Sequence, residues 1–261
     1  MITIKAIAHD SIADIAGIKE NDKIISVNNN VIDDAVDFMF YTQSESVLEL
    51  EISRNSRKKK IVLNVPDDSI IGIEPEPFKI KTCTNNCLFC FCDQLPDGLR
   101  ESLYFKDDDY RLSFLNGNFI TLTNITDAEM DKIIKMRLSP LYVSVHATDT
   151  FLREKIIGRK NIPNILEQID KLAAANIEIH AQIVLAPNVN DGDSLIKSIL
   201  DLVARRENVL SLGIVPVGLT RYRINLKEIN PITPNYCLNL INFHYDLRRE
   251  RLDIRDFLYL A

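Results

Sequence analysis

Four of the five cysteines in this 261-residue chain stand close together, within residues 83–92. Cys83, Cys87 and Cys90 follow the spacing C-x3-C-x2-C, with Phe89 directly before the third cysteine. So dense a group is not a disulfide framework spread over a fold, and it indicates metal or redox chemistry. Three thiols can hold one iron–sulfur cluster and leave one iron open to a substrate or cofactor.

The composition is that of an ordinary globular protein, with 26% charged and 46% hydrophobic residues. A net charge of −6 gives no general basic field, so nonspecific nucleic-acid binding is not expected. No apolar run has the length of a membrane span, and Lys5, His9 and Asp10 interrupt the apolar start of the chain. We therefore expect a cytoplasmic protein with no membrane partner.

Residues 1–66 alternate short strands with two short helical patterns, and residues 67–82 are expected to form an extended connector. Residues 16–28, AGIKENDKIISVN, resemble a PDZ domain in their small–glycine–hydrophobic run and later valine–asparagine pair. Since PDZ domains bind peptide ends by strand addition, this resemblance implies a small mixed β/α domain with a protein partner. The alternative is a small packing or docking module.

The sequence beyond residue 117 alternates strands with helices, which predicts right-handed crossovers and a parallel sheet or barrel. One face of the strands is polar or small, as with Tyr142, Ser144 and His146, whereas a sheet covered by helices on both faces should be apolar throughout. We therefore predict an α/β core over residues 83–261, a partial (β/α) barrel with a ligand cavity inside. The predicted strands are residues 118–123, 141–146, 177–185 and 209–215, and the predicted helices are residues 127–137, 163–175 and 194–206.

The cysteine spacing alone leaves a second type of metal site open. A fourth thiol, Cys92, can complete a closed site for zinc or for an electron-transfer cluster. Zinc sites usually draw ligands as two separated pairs, whereas these cysteines share one loop, which favours the open three-cysteine cluster. The alternative function is a non-catalytic iron–sulfur or zinc-binding protein for interaction or electron transfer. Cys237 stands apart and is expected to be a buried small residue.

The C-x3-C-x2-C motif with its aromatic residue resembles the defining motif of radical S-adenosylmethionine enzymes. That resemblance implies a 4Fe–4S cluster held by Cys83, Cys87 and Cys90, with S-adenosylmethionine chelating the open iron. It also implies a reductant such as flavodoxin or ferredoxin. The implied product is a 5′-deoxyadenosyl radical that abstracts hydrogen from a substrate which the sequence does not identify.

Longer blocks resemble one bacterial family of iron–sulfur oxidoreductases, which join a PDZ-like module to a radical S-adenosylmethionine core. The blocks are residues 90–124, 141–149 and 215–223, and the resemblance extends to about residue 235. The family usually carries an aliphatic residue at the position of Cys92, which favours the three-cysteine cluster. Its members continue beyond the position of Ala261, so a C-terminally shortened core is expected.

The resemblance also implies contacts to S-adenosylmethionine from three segments. Gly117 and Asn118 match a segment that faces the methionine amino group, the alternative being a turn before a strand. Ser144 and His146 resemble a serine–hydrophobic–histidine strand whose serine contacts the carboxylate, the alternative being an interior hydrogen-bonded histidine. Asn190 resembles a strand-end residue that holds the ribose, the alternative being an N-cap for the following helix.

Two charged runs have open roles. Residues 107–109, three aspartates, can shape a substrate or second metal site, but such a run is more often a loop held by salt bridges from Arg100 or Arg111. Residues 221–223, Arg-Tyr-Arg, follow the last predicted strand and are placed to meet an anionic substrate group.

Overall fold

The structure is a computed structural model that describes residues 1–43, 45–67 and 69–261. The chain divides into two compact units, Met1–Ile80 and Lys81–Ala261. Within the described residues, no helix combines the length and the apolar character that crossing a membrane requires.

The first unit is built on an antiparallel sheet with the strand order β5-β4-β2-β1-β6, and β3 pairs with β2. Its strands are β1 (Ile2–Ile7), β2 (Lys23–Val27), β3 (Asn30–Val31), β4 (Val47–Arg54), β5 (Arg57–Asn64) and β6 (Ile73–Pro75), and its helices are α1 (Ile12–Ile15) and α2 (Ala35–Thr42). The strands and helices predicted before residue 66 are confirmed. Asp34 starts α2 because its carboxylate accepts from the amides of Val36 and Asp37.

The segment predicted as a connector contributes a strand to this unit. β6 pairs with β1, with Ile4 opposite Pro75 and Ile7 opposite Ile73. Ile71 and Ile73 pack against the apolar core of the first unit. Burial of these two side chains therefore draws the segment onto the sheet instead of leaving it as a free link.

The second unit contains a parallel sheet with the order β10-β9-β8-β7. Its strands are β7 (Leu141–Ser144), β8 (Ile179–Leu185), β9 (Val209–Pro216) and β10 (Leu258–Leu260). Its helices are α3 (Tyr110–Asn116), α4 (Asp127–Met136), α5 (Thr150–Ile157), α6 (Ile165–Ala174), α7 (Asp193–Val203) and α8 (Pro234–Glu250), and single 3-10 turns lie at Cys92–Gln94, Glu101–Leu103 and Leu252–Ile254. The predicted alternation of strands and helices is confirmed in β7–β9 and in α4, α6 and α7.

The polar face predicted for these strands forms a continuous row across the sheet. Tyr142 in β7 lies opposite His180 in β8, which lies opposite Ser211 in β9. The rings of Tyr142 and His180 stack with centroids 5.0 Å apart, and His180 Nδ1 is 2.7 Å from Ser211 Oγ. The strand register therefore brings polar side chains that are far apart in sequence into direct contact.

The strand predicted at residues 118–123 does not form. Ile120 makes one parallel bridge to Val143, but the next amide, that of Thr121, donates to Asp108 Oδ1 at 2.6 Å. Leu122 then turns the chain with a φ of 58°. The prediction was wrong because a side-chain carboxylate takes the hydrogen bond that a strand ladder requires.

Candidate metal and cofactor site

Residues 83–92, called the cysteine segment below, have irregular backbone up to the 3-10 turn that begins at Cys92. The segment packs against the end of α5. The amides of Asn86 and Leu88 donate to the carbonyls of Ile157 and Ile156 at 2.9 and 2.8 Å. Gly158 follows with a φ of +70°, and a Cβ built on it would lie 2.1 Å from the carbonyl oxygen of Asn86. Only glycine therefore lets the segment approach the helix this closely.

The three predicted ligands stand within residues 83–90 of this segment. Cys83, Cys87 and Cys90 are free and half-buried, and the amide of Cys90 donates to the carbonyl of Cys87 at 3.1 Å. Burial raises the pKa of the Cys87 thiol to about 12, and the neighbouring thiols of Cys83 and Cys90 add to that rise. The Cys87 thiol therefore holds its proton at neutral pH, and a bound metal ion would displace it. Three half-buried thiols on one short segment fit the ligand set of a cluster with one open corner.

Cys92 lies beside this set, at the start of the 3-10 turn Cys92–Gln94. Its sulfur is 3.9 Å from the carbonyl oxygen of Phe105. Burial raises the pKa of the Cys92 thiol, and the neighbouring thiol of Cys90 adds to that rise. The role of Cys92 as a ligand stays a prediction. Cys237 is half-buried in α8, so the expectation that it is buried was wrong.

Phe89, the aromatic residue of the motif, packs against His146. The two rings meet edge to face with centroids 4.8 Å apart. His146 is buried just beyond β7, and its Nδ1 accepts from the amide of Val184 at 3.2 Å. Burial lowers the pKa of His146 to about 3, and the charge of Arg153 contributes, so the imidazole is neutral. His146 is therefore an interior hydrogen-bonded histidine, and it also brings the cysteine segment to the end of β7.

Asn190 connects the ends of β7 and β8. Its Nδ2 donates to the carbonyls of His146 and Val184 at 2.8 and 2.9 Å, and its Oδ1 accepts from the amide of Ala186 at 2.8 Å. Gly192 occupies the N-cap position of α7, so the alternative of Asn190 as that cap was wrong. Its side chain is 1% exposed, and the contact with a ribose stays a prediction.

Gly117 and Asn118 form the end of α3 and not a turn before a strand. Gly117 takes a φ of 75° as the left-handed cap of the helix, and a Cβ there would lie 3.5 Å from the ring of Tyr142. Asn118 donates to Asp107 Oδ2 at 2.8 Å. The sequence analysis did not predict α3, because its N-cap, Asp109, is one of three adjacent aspartates that were interpreted as a loop.

Each of the three adjacent aspartates has its own partner. Asp108, 1% exposed, accepts from the amide and the hydroxyl of Thr121, both at 2.6 Å. Asp109 pairs with Arg111 at 2.6 Å, which confirms the predicted Arg111 salt bridge. These contacts favour a structural role for the run, and the alternative of a substrate or second metal site stays a prediction.

A hydrogen-bonded chain joins Asp108 to the cysteine segment. The hydroxyl of Thr121 lies 2.8 Å from that of Thr123, and the amide of Asn85, two residues after Cys83, bonds to both hydroxyls at 2.9 Å. All of these side chains are buried except that of Cys83, which is half-buried. The segment around residue 121 is therefore fixed against the cysteines although it is not a strand.

The residues after β9 also contact the cysteine segment and the 3-10 turn at its end. Thr220 Oγ1 donates to the carbonyl of Gln94 at 2.6 Å, and Arg223 Nη2 donates to the carbonyl of Leu88 at 3.2 Å. Arg221 lies on the ring of Tyr222, with 5.0 Å from its guanidinium carbon to the ring centroid. The predicted Arg-Tyr-Arg run is thus adjacent to the cysteines, and its contact with a substrate stays a prediction.

Arg153 is a functional candidate that the sequence analysis missed. Its side chain is 0% exposed, and it donates to the carbonyls of Thr121, Ser144 and Val145. It lies on the buried face of α5, one turn before Ile156. A charged residue on a buried helical stripe is the sequence signal that could have identified it.

Comparison with known families gives one match. Residues 67–212 match the family described as the radical SAM-like domain, a range that exceeds half of the 261-residue chain. The chain belongs to the radical SAM-like domain family. A search of curated proteins gave no match.

Several solved structures resemble this radical SAM-like chain at low identity. Streptococcus suis SuiB is 12% identical with a TM-score of 0.40, and the match covers 55% of this chain and 31% of SuiB. A domain of pyruvate-formate lyase-activating enzyme from Bacteroides vulgatus is 14% identical, with a TM-score of 0.39 over 55% of this chain and 80% of that one. A radical SAM methyltransferase from Sphaerobacter thermophilus is 13% identical, with a TM-score of 0.39 over 95% of this chain and 80% of the methyltransferase. Similarity at this level defines neither the substrate nor the reaction.

Proposed function

We propose that this chain is a radical S-adenosylmethionine enzyme that abstracts hydrogen from its substrate, with Cys83, Cys87 and Cys90 as the ligands of a 4Fe–4S cluster. One observation carries the proposal. Three free, half-buried thiols with this spacing stand on one loop, inside the range that matches the radical SAM-like family. When bound, the cluster and S-adenosylmethionine supply a 5′-deoxyadenosyl radical by one-electron cleavage of the sulfonium.

The residues around the thiols bind, orient and exclude water. Phe89 and His146 form an apolar and neutral wall next to Cys90, which keeps water from a reactive species. Gly117, Asn118 and Ser144 are proposed contacts to S-adenosylmethionine. Asn190 holds the ends of β7 and β8 together and offers one oxygen lone pair to the ribose.

The finer parts of the proposal rest on the family resemblance. We infer oxidoreductase chemistry in a partial (β/α) barrel, with flavodoxin or ferredoxin as the reductant and the cytoplasm as the location. We infer that the first unit is PDZ-like and binds a protein partner through an exposed sheet edge. The antiparallel sheet of that unit supports this inference.

Anaerobic reconstitution with iron and sulfide tests the proposal. The loaded chain should contain one 4Fe–4S cluster, and with dithionite and S-adenosylmethionine it should release 5′-deoxyadenosine. Cys87→Ala should lose the cluster, because it removes a ligand. Cys92→Ala is the matched control, since it removes an adjacent thiol and should retain the cluster.

Two results would overturn the proposal. An intact cluster that yields no 5′-deoxyadenosine would favour a non-catalytic electron-transfer protein. Stoichiometric zinc without brown absorbance, after anaerobic purification, would favour a zinc-binding interaction protein. Equal loss of iron in Cys87→Ala and Cys92→Ala would show that the ligand assignment is wrong.

A further inference from the structure

The guanidinium of Arg153 is only partly satisfied by the protein. Of its five N–H protons, Nε donates to the carbonyl of Val145 at 2.9 Å, and Nη2 donates to the carbonyls of Thr121 and Ser144 at 2.7 and 3.2 Å. The two protons on Nη1 are buried without a partner. An unpaired buried donor on a cation costs free energy, so its presence indicates an acceptor or an anion that binds there.

The position of α5 places this cation behind the cysteine segment. The carbonyls of Ile156 and Ile157, one turn after Arg153, accept from the amides on either side of Cys87. The guanidinium also bonds to Thr121, whose hydroxyl bonds to Asn85 in the same segment.

Asp108 and Arg153 are linked through Thr121. Asp108 is a buried carboxylate that accepts from the amide and the hydroxyl of Thr121, and the carbonyl of Thr121 accepts from Arg153. Burial raises the pKa of Asp108, and the two hydrogen bonds from Thr121 oppose that rise by favouring the ionised form. Burial lowers the pKa of Arg153 to about 10, which leaves it charged at neutral pH. Arg153 is fully buried, whereas Lys106, which pairs with Asp93, is half-buried.

We propose that Arg153 is a positioning residue for the metal centre. It is a buried cation whose unpaired Nη1 protons are available to the Cys87 thiolate, and its charge raises the reduction potential of the cluster. This inference rests on the proposed function. Reduction adds one negative charge to a centre that three thiolates already make negative. A cation in a low-dielectric surrounding stabilises the reduced form more than the oxidised form.

Redox titration of the reconstituted cluster tests the inference without substrate or S-adenosylmethionine. The midpoint potential is followed by the electron paramagnetic resonance signal of the reduced cluster at pH 8. Arg153→Gln removes the cation, and Arg153→Lys keeps the charge with fewer donors. Asp108→Asn removes the nearby anion. Lys155→Gln is the matched control, because Lys155 carries the same charge on the exposed face of the same helix.

The expected shifts of the midpoint potential differ in sign. Arg153→Gln should shift the midpoint to a more negative value, Arg153→Lys should shift it less, and Lys155→Gln should leave it unchanged. Asp108→Asn should shift it to a more positive value, and this variant decides the question if Arg153→Gln fails to take up the cluster. The opposite signs separate an electrostatic role from general damage, which would expose the cluster to water in both variants.

A loaded cluster with the same potential in Arg153→Gln, Asp108→Asn and the unchanged chain would overturn the inference and leave the proposed function standing. A shift of the same sign in Arg153→Gln and Asp108→Asn would also overturn it. Failure of the unchanged chain to hold any cluster would instead overturn the proposed function, and the inference with it.

Discussion

The two units use buried polar groups in different ways. In the first unit, buried Asp22 pairs with Arg54 at 2.6 Å, and buried Asp34 and Asp37 cap α2. In the second unit, Arg153 is fully buried with Nη1 free. Among the described residues, the buried side-chain atoms without a hydrogen-bond partner all belong to the second unit: Asn124 Oδ1, Arg153 Nη1, Gln168 Oε1 and Arg223 Nη1.

This difference separates residues that maintain a fold from residues available to a ligand. A buried polar group that is fully paired within its own unit needs no explanation beyond its contribution to the stability of the fold. A buried group with a free donor costs stability and requires another explanation. Arg153 and Arg223 carry the two unpaired donors among these atoms. Arg223 donates to the carbonyl of Leu88, and the amide of Leu88 donates to the carbonyl of Ile156, one turn after Arg153. We therefore expect metal and cofactor binding at the cysteine segment and not in the first unit.

The largest effect is expected from Gly158→Ala. A Cβ there meets the carbonyl of Asn86 at 2.1 Å on a left-handed backbone, so we expect a loss of about 2–5 kcal/mol in the free energy of unfolding. Because the clash lies in the cysteine segment, iron uptake should fall as well. Urea denaturation and iron analysis of the full chain measure the two effects.

Gly17→Ala is the matched control in the first unit. Gly17 has a similar φ of +73°, but nothing lies within 4 Å of its added Cβ. The expected loss is about 1–2 kcal/mol from backbone strain alone, with iron uptake unchanged. If the two variants lost equal stability and kept equal iron, the close packing of the cysteine segment on α5 would be disproved.

A smaller effect is expected from Asp22→Asn, with a defined pH dependence. Burial alone raises the pKa of Asp22, but hydrogen bonds from Arg54 and from the amide of Lys19 outweigh it, and the pKa is lowered. A lowered pKa stabilises the fold above the unfolded value of about 4, and that stabilisation is lost as the pH falls through the folded value. Asp22→Asn should therefore cost about 1.5–3 kcal/mol at pH 7.

Denaturation between pH 7 and pH 2.5 measures this dependence. The difference in unfolding free energy between Asp22→Asn and the unchanged chain should narrow below about pH 4. Iron content should stay the same, because Asp22 serves only the first unit. A loss of iron would contradict the comparison of the two units.

The smallest effect is expected from Lys58→Gln. Lys58 pairs with Glu51 at 3.0 Å across the β4–β5 hairpin, but its side chain is 68% exposed. Solvent screens such a pair, so the expected loss is less than about 1 kcal/mol, and it should shrink further in high salt. A loss larger than that of Asp22→Asn, and reduced by salt, would show that surface charges stabilise the first unit more than its buried pair does.

The sequence predicts the elements of this chain where a local pattern decides them. The hairpin β4–β5 and the helices α4, α6 and α7 follow their hydrophobic periodicity, and the cysteine spacing identifies the candidate metal ligands. The α/β alternation likewise predicts the parallel sheet. These features depend on residues that are neighbours in the chain.

Features that depend on distant partners could not be predicted in this way. Residues 118–123 have the pattern of a strand, but the carboxylate of Asp108 takes the amide of Thr121. Asn190 follows a strand as predicted, yet its amide connects two strand ends, which only the fold brings together. Arg153 looks like an ordinary helical arginine until its neighbours are known. In each case a side chain bonds to backbone that lies far away in sequence.

The proposal that three cysteines hold a cluster whose fourth iron is open to S-adenosylmethionine can be tested by electron paramagnetic resonance of the reduced, anaerobically reconstituted chain. The account predicts a 4Fe–4S signal that changes when S-adenosylmethionine is added, in the unchanged chain and equally in Cys92→Ala. A signal indifferent to S-adenosylmethionine, together with loss of the cluster in Cys92→Ala, would show that the fourth iron is already ligated by Cys92 and would contradict the account.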